Sequence, residues 1–232
     1  MSEQGRQSSI NGNLSIPVLM HTTNMDWQAS PSQSIWRKRL HLVGDIESGQ
    51  VTSLVKFEAN SSFPAHDHPD GEEILVLEGV FSDEQGDWEA GSYLLNPEGY
   101  RHQPYSRQGC LLFVKLRQYQ GRSRNHVAIK WDELQWRPTP HSGISAKQLF
   151  RENAYPESIQ LECWQPGMEA VERIYPNGVE FFVLEGSFSD QQQVYGEGDW
   201  IRLPPGTKSI VLTVDGCTLY AKLNAVSQLN SG

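Results

Sequence analysis

His66 and His68 stand two residues apart, Glu72 follows four residues after His68, and His102 lies 30 residues beyond Glu72. On an extended strand, residues i and i+2 share a face, so two imidazoles at this spacing can grip one ion from adjacent positions. Glu72 comes after the turn sequence Pro69-Asp70-Gly71, and His102 after Pro97-Glu98-Gly99, so both return to the region of the histidine pair once the chain reverses. Three neutral imidazoles and one carboxylate are borderline donors that suit Zn, Fe, Mn, Ni or Cu and leave room for water or substrate.

The elements that must position these residues are written twice. Residues 71–83 read GEEILVLEGVFSD and residues 178–190 read GVEFFVLEGSFSD. At a fixed offset of 107, segments 57–116 and 164–223 align without a gap and share 19 of 60 residues, which marks an internal duplication. The four candidate ligands do not recur: Arg173, Tyr175, Val179 and Ser209 stand at the matching positions. The sequence therefore divides into a tail at 1–13, a metal-binding half at 14–122 and a ligand-free half at 123–232. A polar Gly/Arg/Ser linker is expected near Gly121–Asn125.

In the first half, Thr52–Phe57, Glu72–Leu77, Ser92–Asn96 and Leu111–Leu116 read as strands separated by turn residues. Alternation along the second strand puts Glu72, Ile74 and Val76 on one face and Glu73, Leu75 and Leu77 on the other. Apolar residues on both faces predict a strand covered on both sides.

Composition narrows the function classes. The chain has 232 residues with 20 glycines and 13 prolines, and the many short apolar runs point to an all-β fold. A net charge of −9 without a basic stripe argues against nucleic acid. No apolar run is long enough to span a membrane. The polar N-terminus MSEQGRQSSINGN lacks the apolar centre of a signal peptide, so a disordered tail and a cytoplasmic location are expected. Three cysteines, Cys110, Cys163 and Cys217, read as reduced thiols.

The pattern His66-x-His68-(x)3-Glu72-(x)6-Gly79, followed by Gly91-(x)5-Pro97-x-Gly99-(x)2-His102, resembles the two motifs of the cupins, which are small double-sheet β-barrels. Ser106 stands where an asparagine is often found in that pattern. More narrowly, GEEILVLEGVFSDE, NPEGYRH and GCLLFVKL resemble the ChrR cupin group, named for the zinc-binding C-terminal domain of an anti-sigma factor. The resemblance implies a bicupin of two tandem jelly-roll-like barrels, with one mononuclear centre on His66, His68, Glu72 and His102. It favours Zn2+, with Fe2+, Mn2+ or Ni2+ as alternatives. Glu72 is preferred to Glu73 on three counts: the six-residue spacing to Gly79, the inward face, and the valine that replaces it in the second half.

The resemblance also implies a sensor, regulatory or small-molecule-binding role, with an Fe(II) dioxygenase of the β-diketone-cleaving type, or another cupin enzyme such as an isomerase or hydrolase, as the alternative. Anti-sigma factors of that group carry a helical N-terminal domain with a His/Cys zinc motif, and none is visible here, which argues against direct sigma-factor binding. Monomer and homodimer are both compatible with two barrels in one chain. Phe63, Trp88, Tyr93, Arg101 and Tyr105 lie near the centre in sequence, and Phe63, Trp88, Tyr93 and Tyr105 are candidate pocket walls. In the second half, Arg173 and Tyr175 are candidates to bind a small anion, the guanidinium acting as a two-toothed clamp.

Overall fold

The computed structural model describes residues 8–119 and 124–230. Part of the expected tail (1–7) and of the expected linker (121–123) lie outside them. All regular structure in the described residues is strand, apart from three single-turn 3-10 helices. The four strands expected in the first half are present as Gln50–Phe57, Glu72–Asp83, Tyr93–Asn96 and Cys110–Leu116.

The chain divides into two compact units, one of residues 1–12, 26–133 and 230–232, the other of 13–25 and 134–229. These differ from the sequence boundaries by an exchange of short segments. Val18–His21 pairs antiparallel with Asp199–Leu203 in the second unit, while Val127–Ile129 pairs with Tyr93–Asn96 in the first. Ser8–Ile10, expected within a disordered tail, adds an edge strand to Ile35–Gly44, and Asn11 donates its side-chain amide to the Leu40 carbonyl. The sequence carried no sign of this because the pairing is made by backbone groups.

In each unit the main sheet has the same order. The first runs Ile35–Gly44, Gln50–Phe57, Cys110–Leu116, Glu72–Asp83, Tyr93–Asn96; the second runs Ile144–Arg151, Ser158–Trp164, Cys217–Leu223, Val179–Ser189, Asp199–Leu203. A two-stranded ribbon accompanies each: His66–His68 with Tyr100–His102, and Val171–Tyr175 with Thr207–Val211. The long strands Glu72–Asp83 and Val179–Ser189 bend where the register shifts, between Leu111 and Leu112 on one partner and between Val183 and Glu185 in the other unit. Gly79 and Gly186 sit just past the bends at φ +71 and +73, where an added Cβ would collide with the carbonyl oxygens of Gly109 and Gly216. A side chain is excluded there by space as well as by backbone conformation, which explains why this glycine persists in both copies.

Alternation places Val55, Phe57, Ile74, Val76, Leu112 and Val114 in the first core. On the opposite face Glu73 and Lys115 face each other in register, both buried, as do Glu180 and Lys222 in the second unit. Glu73 is thus turned away from the inward face, the structural placement expected of it.

Candidate metal centre

The ribbon sets the histidines. His66 pairs directly with His102, and His68 pairs with Tyr100, so His66 and His68 project to one side while Asp67 points away to an exposed ion pair with Arg101. Glu72 opens the next strand, with its neighbour Gly71 at φ +76 packed so closely against Tyr119 that a Cβ would lie 2.8 Å from the Tyr119 Cβ. That tight turn delivers Glu72 to the inward face.

The histidines converge. One ring nitrogen from each of His66, His68 and His102 lies within 4.8 Å of the others. His68 Nε2 is 2.8 Å from His102 Nε2, and Glu72 Oε2 is 3.3 Å from the former and 3.5 Å from the latter. His68, Glu72 and His102 are buried, and His66 is half-buried.

The outer ring nitrogens are tied back. The Pro64 carbonyl lies 2.8 Å from His66 Nδ1, and Asp83 Oδ2 lies 3.5 Å from His102 Nδ1. A proton on each Nδ1 leaves the Nε2 lone pairs facing one another, an arrangement that suits a shared cation. Asn96 donates to Glu72 Oε2 at 2.9 Å and fixes the carboxylate beside them.

Electrostatics divide the set. Burial depresses the basicity of His68, with Glu72 opposing it. Burial acts the same way on His102, but the Asp83 hydrogen bond and the Glu72 charge outweigh it and hold this imidazole above its ordinary value. Asp83 is itself held below the usual carboxylate range, since its hydrogen bonds to His102, Gln85 and Trp88 overcome the cost of burial. An ionised Asp83 behind His102 makes that ring the stronger donor.

His66, His68 and Glu72 line a cavity of about 340 Å³ whose walls also include Val51, Val55, Phe57, Phe63, Leu112 and Val114. Of the four candidate wall residues, Phe63 lines the cavity and meets His66 edge-on at 5.8 Å. The other three candidate wall residues lie elsewhere. Trp88 packs in the core and donates to Asp83; Tyr93 is on the face opposite its inward neighbour Leu94; Tyr105 pairs with Ser62 and lies under Arg107. Their types matched a pocket, but alternation turns Tyr93 to the other face, Trp88 is packed into the core beyond the cavity wall, and Tyr105 does not line it.

The second unit is filled at the same place. Arg173 and Tyr175 occupy the ribbon positions of His66 and His68, and Tyr175 joins a core with Trp164, Phe181 and Phe188. The anion expected on Arg173 is supplied by the protein itself: Glu162 accepts from Nη1 at 2.5 Å and Nη2 at 2.9 Å. Burial raises the cost of charge on Glu162, yet Arg173 holds its carboxyl below the usual range.

Sequence reasoning missed Asp83 and Asn96. Asp83 recurs as Asp190, which accepts from Tyr195 at 2.9 Å, so its persistence in both copies disguised its contact with His102. Asn96, replaced by Leu203 in the second copy, carried a signal in that exchange. Ser106, at the motif position where asparagine is common, donates to the Val80 carbonyl and stays out of the site.

Comparisons with known proteins agree with this architecture. No curated protein sequence matches the chain significantly. Among solved structures, a dioxygenase candidate from Nostoc punctiforme superposes with a TM-score of 0.75 at 15% identity, covering 94% of this chain and 86% of that one. The bacterial pirin YhhW of Escherichia coli, in complex with nickel(II), gives 0.63 at 15% identity, covering 90% and 99%. Salicylate 1,2-dioxygenase from Pseudaminobacter salicylatoxidans gives 0.63 at 13% identity, covering 91% and 85%. At such identities the likeness establishes the fold. The sequence model for the ChrR Cupin-like domain matches twice, over residues 16–120 and 124–227. Nearly the whole chain is accounted for by these two matches, and it belongs to the ChrR cupin-like family as a tandem pair of such domains.

Proposed function

We propose that the first unit holds one divalent metal ion on His66, His68 and His102, with Glu72 as the fourth donor, and acts through it on a small organic molecule. The observation that carries this reading is the convergence of three imidazoles beside a cavity that His66, His68 and Glu72 line together with apolar side chains. A site serving folding alone is closed off by protein, whereas here two of the histidines and Glu72 face a cavity with space for a further ligand beside the ion. The second barrel supports the same reading, since it keeps the strand order with Arg173, Tyr175, Val179 and Ser209 in place of the donors.

When bound, the ion would supply Lewis acidity and a coordination position for substrate. The chain does the rest. Asp83 and the Pro64 carbonyl fix the imidazole tautomers. Asn96 holds Glu72, and Phe63 with the apolar walls excludes water. The reaction class favoured is a metal-dependent oxygenation, because the cavity leaves room for a substrate beside the ion and two of the structural neighbours described above are a dioxygenase and a dioxygenase candidate. Family membership favours a second reading, a metal-dependent sensor in which the same cavity binds a signal molecule.

Elemental analysis combined with oxygen uptake tests both. Iron at about one equivalent, with oxygen consumed on diketones or catechol-like compounds, supports the oxygenase. Zinc at about one equivalent without oxygen uptake supports the sensor. No bound transition metal contradicts both.

A further inference from the structure

Three arginines share the cavity with His66 and His68: Arg37, Arg39 and Arg117. Arg37 and Arg39 alternate with Ile35 along one strand, so all three side chains face inward. Arg39 is buried, and Glu47 lies across the pair, accepting from Arg37 Nη1 at 2.7 Å and from Arg39 Nη2 at 3.0 Å. Arg117 donates to the Gly49 carbonyl at 3.2 Å. Glu47 pairs with Arg37 and Arg39, and Asp70 and Glu47 act on Arg117, so three guanidiniums meet two carboxylates at this end of the cavity in a protein of net charge −9. Burial lowers the basicity of Arg39 and of Arg117, and the charge of Arg37 adds to it in both.

The duplication provides a control. Arg37 pairs with Val55 as Ala146 pairs with Glu162, and Arg39 pairs with Ser53 next along the strand, as Gln148 pairs with Gln160. Arg117 corresponds to Asn224 at the same offset of 107. Both of these residues adopt the left-handed conformation, at φ +60 and +61, which asparagine takes readily and arginine seldom. The second copy thus lacks all three arginines together with all three histidines. Scaffold requirements do not account for them, since the scaffold is kept without them.

We infer that the cavity binds an organic acid with an apolar body, whose carboxylate docks on Arg37, Arg39 and Arg117 and displaces the Glu47 carboxylate that covers the first two. Planar guanidiniums receive carboxylates through paired hydrogen bonds, and in a buried site these are stronger than in water. The body of the ligand lies along Val55, Phe57 and Phe63, which directs its other end to His66 and His68. Glu47, half-exposed on the loop between Ile35–Gly44 and Gln50–Phe57, holds the place of the ligand's carboxylate. This assignment rests on the metal-centre reading for the role of the far end, but the two fail separately.

The test is calorimetric titration of zinc-loaded protein with benzoate and 3-phenylpropionate, each against its neutral amide, with zinc content measured on the same samples. The acids should bind at least about tenfold more tightly than the amides. Arg39→Met and Arg117→Met should each weaken acid binding by about tenfold or more while zinc content stays unchanged. Glu47→Gln should tighten acid binding several-fold and leave the amides unaffected, which an arginine cluster of purely structural purpose would not produce. No binding of either acid, equal affinity for acid and amide, or acid binding that survives both arginine substitutions overturns the inference. If that happens with zinc at one equivalent, the metal centre still stands; if the unaltered protein takes up neither zinc nor iron nor any other divalent transition metal, the centre itself is refuted.

Discussion

Glu162 accepts two hydrogen bonds from Arg173, at 2.5 Å and 2.9 Å, at positions that carry Val55 and His66 in the first unit. Where the first barrel faces its cavity with an apolar side chain and an imidazole, the second closes the same space with an ion pair. Trp164 and Gln160 donate the remaining hydrogen bonds to Glu162, each at 2.8 Å, so the buried charge is fully satisfied.

Removing one member of that pair should therefore be costly. Arg173→Met leaves Glu162 buried and unpaired, with an expected loss of about 3–5 kcal/mol. Adding Glu162→Gln to it should recover most of the loss. Chemical denaturation of the two single variants and the double variant measures this coupling; additive losses would show that the pair is not a unit.

Asp83 should matter to metal affinity more than to folding. Asp83→Asn keeps the size of the side chain but removes the charge behind His102, and affinity for a divalent ion should fall by about 10–100-fold. Competition with a chromogenic chelator reads this directly. An unchanged affinity would assign Asp83 to Trp88 and the turn at Gln85 alone.

Protons should compete with the metal, with His102 the first to take one. Its basicity is raised above the ordinary value of 6.5, whereas that of His68 is lowered. In the metal-free protein, the His102 contribution to stability is present below 6.5 and is lost as pH rises through its folded value. That of His68 has the opposite sign, present above 6.5 and lost as pH falls through its lowered value. Metal affinity should accordingly begin to fall while the pH is still above 6.5, and Asp83→Asn should shift that fall to lower pH.

The thiols should differ in reactivity. Burial pushes Cys110 up to about 11 and Cys217 up to about 12, while Cys163 is half-buried. Native protein at pH 8 should take up alkylating reagent quickly at Cys163 and slowly at the other two, as mass spectrometry of timed samples would show. Because the two buried thiols favour their protonated forms, the stability they confer is complete below pH 9.0 and declines as pH rises towards 11.

Much of this was legible in the sequence, for a physical reason. Strand alternation is a local property, so the inward face of Glu72 and Ile74 could be read from neighbouring residues. His66 and His68 were legible as a pair because two-residue spacing on a strand sets both on one face without distant information. What escaped depends on contacts far apart in the chain. His102 meets Asp83 only after the barrel closes, and Arg37 meets Glu47 across a loop. The Arg173–Glu162 pair escaped because Glu162 lies on a strand whose inward face was never tied to the ribbon. The exchanged segments Val18–His21 and Val127–Ile129 have no signature, since backbone pairing is indifferent to side-chain type.

The central claim is a mononuclear metal centre in the first unit, and elemental analysis of the purified protein and two variants tests it most directly. The unaltered protein should carry about one equivalent of a divalent transition metal. His102→Ala should lose most of it while keeping the strand content of the parent, and Ser209→Ala, the matching change in the second unit, should retain it all. Full metal occupancy in His102→Ala, or none in the unaltered protein, would contradict the account.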